Sequence, residues 1–102
     1  MQNLSEKLLN TSQKLTSLGL NVGTAGNCSV RVNEAAFLIT PSGVATDAML
    51  ATSMVRMQFD GSVEPNKTPS GEWRFHRDIL ANRPEINAVV HTHSMFATTL
   101  AC

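Results

Sequence analysis

The chain has no excess of charge of either sign, few cysteines, few aromatics and no long apolar run, and each of these absences removes a class of function. Eight Lys and Arg balance eight Asp and Glu, so the long-range attraction that a basic domain exerts on nucleic acid is missing. Any charged ligand must be held by local chemistry. Cys28 and Cys102 form no CxxC pair and no secretory disulfide framework, which fits a reducing, cytoplasmic setting. No segment approaches the roughly 20 apolar residues of a membrane span, and residues 1–7 lack a basic region leading into an apolar run. Neither export nor membrane insertion is expected. Gly19 to Gly26 lacks G-x-G-x-x-G spacing in a strand-to-helix context, which removes a dinucleotide fingerprint. What is there is an ordinary globular composition: 42% hydrophobic residues in a length of 102, enough for one small domain spanning residues 1–102 and not for two.

Leu4, Leu8, Leu15 and Leu18 recur at near-helical spacing and predict a surface helix over residues 3–18, ending near Gly19. A polar, glycine-rich loop follows over 21–27. Cys28 to Val32 alternates with period two, and Ala36 to Thr40 is a second strand-like run, so the two are expected to form a hairpin. Asp47 is placed to cap a short helix over 48–52, and Met54 to Phe59 reads as another strand. Pro65 and Pro69 mark a loop, after which Ser70 is expected to cap a helix over 71–82 with Phe75, Ile79 and Leu80 as its apolar stripe. Ile86 to His93 reads as a strand that emerges into a site, followed by a helix from Ser94. That last helix has no polar stop signal, so exposed apolar surface is expected around Val89-Val90 and Phe96-Leu100 unless another chain covers it. There is no internal repeat.

Three features carry chemistry. His91 and His93 are two apart at the end of an apolar run, and on an extended strand both imidazoles face one side, where they can bind one metal or form a hydrogen-bonded pair. Glu72 stands at a helix start, where it either complements the helix dipole or serves as a proton acceptor or donor beside a metal. The small, donor-rich pairs Gly26-Asn27, Ser42-Gly43 and Ser70-Gly71 are each common in turns, yet together can enclose a phosphate with backbone N–H groups and hydroxyls. His76 lies on the same helix as Glu72, and spacing does not place it beside the pair. Trp73 and Phe75 read as core or interface residues, and the dispersed arginines as solvated or ion-paired.

The run Gly19 to Arg31 (GLNVGTAGNCSVR), then Leu38 to Gly43 (LITPSG), Pro69 to His76 (PSGEWRFH) and Arg83 to Ser94 (RPEINAVVHTHS) resembles, in order, the class II aldolase and adducin family. The resemblance covers essentially the whole chain. It implies an α/β fold, a three-layer α/β/α sandwich with a mostly antiparallel sheet, left incomplete because the family's carboxy-terminal half lies beyond residue 102. It also implies a homo-oligomer, a tetramer in the family, acting on a phosphorylated sugar. By the same resemblance His91, His93 and Glu72 bind Zn2+, Glu72 is the catalytic acid/base, and Asn27, Ser42, Gly43, Ser70 and Gly71 hold the substrate phosphate. The implied reaction is zinc-dependent aldol cleavage of a small sugar phosphate of the L-fuculose 1-phosphate type, in which the metal polarises the substrate carbonyl.

Two departures stand out. Gly71 occupies a position where family members carry serine, which removes a hydroxyl and keeps a backbone donor. The family's third zinc histidine and its tyrosine proton donor lie beyond this chain, which contains no tyrosine. The chain by itself is therefore expected to be inactive. A related pentulose-phosphate 4-epimerase or sugar-phosphate dehydratase, or a noncatalytic structural or interaction module, are the alternatives.

Overall fold

Alternating side chains divide the central sheet into two faces, and each face recruits one helix. The computed structural model describes residues 3–19 and 26–91. Strands β1 (Asn27–Arg31), β2 (Ala36–Ile39), β3 (Val55–Gln58) and β4 (Ala88–His91) form one four-stranded sheet in the order β3-β2-β1-β4. Every neighbouring pair is antiparallel. Helix α1 (Leu4–Ser17) covers one face and α2 (Trp73–Asn82) the other.

The pleat explains which residues go where. Phe37 and Ile39 of β2, Val55 and Met57 of β3 and Val89 of β4 are buried with Leu80 of α2, and Trp73, Ile79, Phe59 and Ile86 pack around them. Leu38, between two of these in β2, turns the other way, and with Cys28 and Val30 of β1 it meets Leu8, Leu9 and Leu15 of α1 together with Met49 and Met54. Each fully buried side chain of this size contributes about 1.5–3 kcal/mol, so both helices are held chiefly by apolar burial. The architecture is the expected α/β sandwich: a mostly antiparallel sheet flanked by two helices. The predicted hairpin of β1 and β2 is present, with Ser29 opposite Ile39 and Arg31 opposite Phe37.

Polar contacts also tie each helix layer to the sheet. Ser12 Oγ of α1 lies 3.0 Å from Cys28 Sγ in the α1 layer, and burial pushes the Cys28 thiol above its ordinary pKa, with the Ser12 hydrogen bond partly opposing. On the other face one guanidinium nitrogen of Arg31 donates to the carbonyls of Leu80 at 2.7 Å, Ile86 at 2.8 Å and, more weakly, Arg83 at 3.4 Å. Helix ends leave their last carbonyls without intrahelical partners, so Arg31 both terminates α2 and pins it to β1.

Several expected boundaries differ. In place of a helix over 48–52 capped by Asp47 there are two single 3-10 turns, Thr46–Ala48 and Ala51–Ser53. Asp47 lies inside the first turn, which has no side-chain cap. Met49 and Leu50 between the turns are extended, which lets Met49 reach the core at 6% exposure, where a continuous helix would have carried on past it. Helix α2 begins at Trp73, with Glu72 in the cap position, and Ser70 does not cap it as expected. The Ser70 N–H is bonded to the Thr40 carbonyl at 3.0 Å, which holds that residue beside the end of β2 and delays the helix until after Gly71-Glu72. On β4 the anticipated exposure is found at Val90, while Val89 is buried under α2; on an extended strand adjacent residues face opposite sides of the sheet. Phe96 to Leu100, the helix expected from Ser94, residues 21–25 of the expected loop and His93 lie outside the described residues. Among those described, no helix is long and apolar enough to cross a membrane.

Candidate functional site

Of the residues singled out in sequence, the described ones, Asn27, Glu72, His91, Ser42-Gly43 and Ser70-Gly71, gather at one end of the sheet, because antiparallel pairing brings the start of β1 to the ends of β2 and β4. Asn27, the first residue of β1, is directly opposite His91, the last of β4, and facing residues on one side of a sheet are in side-chain contact range. The first turn of α2 lies over this pair and supplies Glu72, and His76 follows four residues later on the same helix face. Beside them, the end of β2 continues through Thr40-Pro41 and forms an isolated bridge between Pro41 and Pro69. The Ser42 N–H donates to the Thr68 carbonyl at 3.0 Å and the Ser70 N–H to the Thr40 carbonyl at 3.0 Å. These two bonds set Ser42-Gly43 and Ser70-Gly71 side by side, although 28 residues separate them in sequence.

A continuous chain of polar contacts runs through the site. Ser29 Oγ lies 2.6 Å from His76 Nδ1, His76 Nε2 meets Asn27 Oδ1, Asn27 Nδ2 donates to Glu72 Oε1 at 3.3 Å, and Glu72 Oε2 meets His91 Nδ1. The chain starts in the interior and ends at solvent. Ser29, His76 and Asn27 are 1%, 0% and 6% exposed, whereas the side chains of His91 and Glu72 are 28% and 37% exposed. The ring of Phe75 lies 5.3 Å from that of His91 and 5.8 Å from that of His76, forming an apolar wall to one side of both. Burial brings the His76 imidazole down from 6.5 to about 4, the Glu72 charge partly opposing and the His91 charge adding to the effect. His76 is thus neutral at pH 7.

The loops present donors differently. The amides of Ser42 and Ser70 are already bonded within the protein, and the Ser70 hydroxyl accepts from the Glu72 N–H at 3.4 Å. Gly43 and Gly71 both face open space: a Cβ added at either meets nothing within 4 Å. Gly43 has φ +68°, the left-handed region that glycine enters without strain. A ligand approaching these loops would meet the two glycine amides and the exposed Ser42 side chain.

For a metal, the donor set is suitable as far as it is described. A carboxylate and an imidazole are the N and O donors zinc prefers. The contact of Glu72 Oε2 with His91 Nδ1 brings these two donors together. Among the described residues no group of three His, Cys, Asp or Glu side chains converges on one point. His93, the second expected histidine, lies outside them.

Sequence spacing did not bring out Ser29 or the part played by His76. Ser29 alternates with apolar neighbours in the manner of a half-exposed strand residue, and only the position of α2 shows that its hydroxyl faces a buried imidazole.

Comparison with known proteins agrees with the geometry. The profile of the class II aldolase and adducin N-terminal domain matches residues 6–102. A 5-methylthioribulose-1-phosphate/5-deoxyribulose-1-phosphate aldolase from Rhodospirillum rubrum is 48% identical over 99 residues, covering 97% of this chain and 44% of that protein. An L-fuculose phosphate aldolase from Haemophilus influenzae is 46% identical over 98 residues, covering 96% and 45%. Among solved structures, an L-fuculose 1-phosphate aldolase superposes with a TM-score of 0.87 at 35% identity, covering all of this chain and 49% of the other. The chain spans a little under half the length of the curated relatives it matches.

Proposed function

The chain belongs to the class II aldolase and adducin family, and on that premise we propose that its full-length parent cleaves a small ketose 1-phosphate by an aldol reaction, while residues 1–102 alone are inactive. The observation that carries this reading is the meeting of Glu72, His91 and Asn27 at one end of the sheet, next to the paired loops at Ser42-Gly43 and Ser70-Gly71. Relatives named as aldolases of L-fuculose phosphate and of 5-modified ribulose 1-phosphates support a phosphorylated ketose as the substrate class.

In this proposal Asn27, Ser42, Gly43, Ser70 and Gly71 grip the phosphate. Amide donors and a hydroxyl stabilise a dianion without a cluster of positive charge, and the energy of that grip orients the distant carbon-carbon bond. Glu72 accepts and returns a proton as the bond between the carbonyl-bearing half and the leaving aldehyde breaks. Phe75 shields one side of the His91 imidazole from water. Glu72, His91 and His93 would hold Zn2+, which when bound supplies Lewis-acid polarisation of the substrate carbonyl. The family resemblance supports a homo-oligomer, a tetramer in the family, and the lack of a disulfide framework fits the cytoplasmic setting proposed for it.

The test has two parts. Elemental analysis of dialysed 102-residue protein measures zinc per chain, with His91→Ala and His93→Ala as controls. Near-stoichiometric zinc lost in both variants is the expected result for the metal reading. Full-length parent is then assayed for release of dihydroxyacetone phosphate from ketose 1-phosphates, with Glu72→Gln expected to lose at least about 100-fold in kcat, the lower end of what a general acid/base contributes. A parent that epimerises a pentulose phosphate without releasing a triose phosphate would replace this assignment.

A further inference from the structure

Hydrogen-bond roles along the chain from Ser29 to Glu72 can be fixed by counting donors. The Glu72 carboxylate is acceptor-only, so the Asn27 atom that meets it is the amide nitrogen, and Asn27 Oδ1 is left facing His76 Nε2. An amide oxygen can only accept. His76 Nε2 therefore carries the proton. The buried imidazole is neutral, so its Nδ1 has a lone pair and accepts the Ser29 hydroxyl proton. The hydrogen bonds then run one way, Ser29 to His76, His76 to Asn27 and Asn27 to Glu72, and the other Glu72 oxygen lies against His91 Nδ1. If the imidazole carried its proton on Nδ1 instead, Asn27 would gain by turning its amide over, and its carbonyl oxygen would then oppose the Glu72 carboxylate.

We propose that His76, locked by Ser29, is a positioning residue that fixes the Asn27 carboxamide so that its N–H donor, and not its oxygen, faces Glu72. The proposal rests on the assignment of Glu72 and His91 to the metal and proton site. Burial suits the task. His76 and Ser29 are at most 1% exposed, so no water competes for their bonds, and His76 sits one helical turn below Glu72 on a helix whose far end Arg31 anchors to β1. Supporting groups of this kind orient the residues that touch a ligand without touching it themselves. A half-satisfied network in the same place would be costly, because each buried polar atom left without a partner loses its solvation.

The variants are His76→Leu, which removes both ring nitrogens, His76→Gln, which restores a donor where Nε2 stands, and Ser29→Ala, which releases Nδ1. On metal-free full-length protein, long-range proton–nitrogen NMR correlations report the His76 tautomer, and the Asn27 side-chain amide signals report its bonding. Zinc affinity is measured separately by competition with a chelator. Expected are an Nε2–H tautomer in the wild type, Asn27 amide signals shifted in His76→Leu and restored in His76→Gln, and a loss of zinc affinity of about tenfold or more in His76→Leu that His76→Gln largely recovers. An Nδ1–H tautomer, or Asn27 signals and zinc affinity unchanged in His76→Leu, overturns the proposal. If the wild type binds no zinc, the metal assignment of Glu72 and His91 fails, and the tautomer with the Asn27 signals still decides the positioning role.

Discussion

Acid should unfold this protein through His76 before it does so through its carboxylates. The imidazole is fully buried and titrates at about 4 in the folded protein against 6.5 when unperturbed. Between those values the unfolded chain binds a proton that the folded chain refuses, so stability falls as pH falls. The contribution is fully present above about pH 6.5 and exhausted near pH 4, where the folded imidazole also protonates. Working the linkage through, folding stability should drop by roughly 2.5 kcal/mol between about pH 7 and about pH 4.5. That is a large share of the 5–15 kcal/mol typical of a domain. Asp60 and Glu85 act in a lower window. Hydrogen bonds from Ser62 and Arg83 hold these carboxyls below their ordinary 3.8 and 4.5, so their stabilisation is lost only as pH falls below those values. The assay is urea unfolding in the presence of a chelator at a series of pH values, comparing wild type with His76→Gln, which cannot titrate. The wild-type midpoint should fall by on the order of 1–2 M urea across the window, taking the slope expected for a small protein. The variant should show a much flatter dependence. Equal pH dependence in the two proteins would refute the reasoning, and so would a wild type whose stability is level from about pH 6.5 to about pH 4.5.

Arg31→Ala should destabilise by about 3 kcal/mol, since hydrogen bonds to a charged group contribute roughly 1.5–3 kcal/mol each and two of its three bonds are short; thermal unfolding should show a loss well above 10 °C for a domain of this size. Gly43→Ala should cost about 1–2 kcal/mol because φ there is +68°, whereas Gly71→Ala, with open space around it and no left-handed backbone, should stay within about 0.5 kcal/mol. Denaturant unfolding of the pair decides this, and equal effects would mean that backbone strain is not what distinguishes the two loops.

Much of the fold was legible because local chemistry and tertiary structure agreed. The leucines of α1 wrote its helical period, Cys28 to Val32 and Ala36 to Thr40 wrote two strands of a hairpin, and the ordered motifs from Gly19 to Ser94 pointed to one family. Glu72, Asn27 and His91 were recognisable as residue types suited to a site. Where the reading missed, burial overrode local preference: Met49 broke the expected helix at 48–52 to reach the core, and the Ser70–Thr40 bond moved the start of α2 to Trp73. Helix caps and turns depend on a few weak bonds, and a single competing long-range bond shifts them.

By itself the sequence determined the alternation that splits the sheet into two apolar faces, the helices that cover them and the inventory of donors and acceptors available for chemistry, because periodicity and residue type are local properties. Only the tertiary structure decided that Ser29 and His76, 47 residues apart, meet in the interior and hold Asn27 toward Glu72. That meeting depends on which strand pairs with which and on where α2 comes to rest, and these are fixed by contacts distant in sequence that no local pattern encodes.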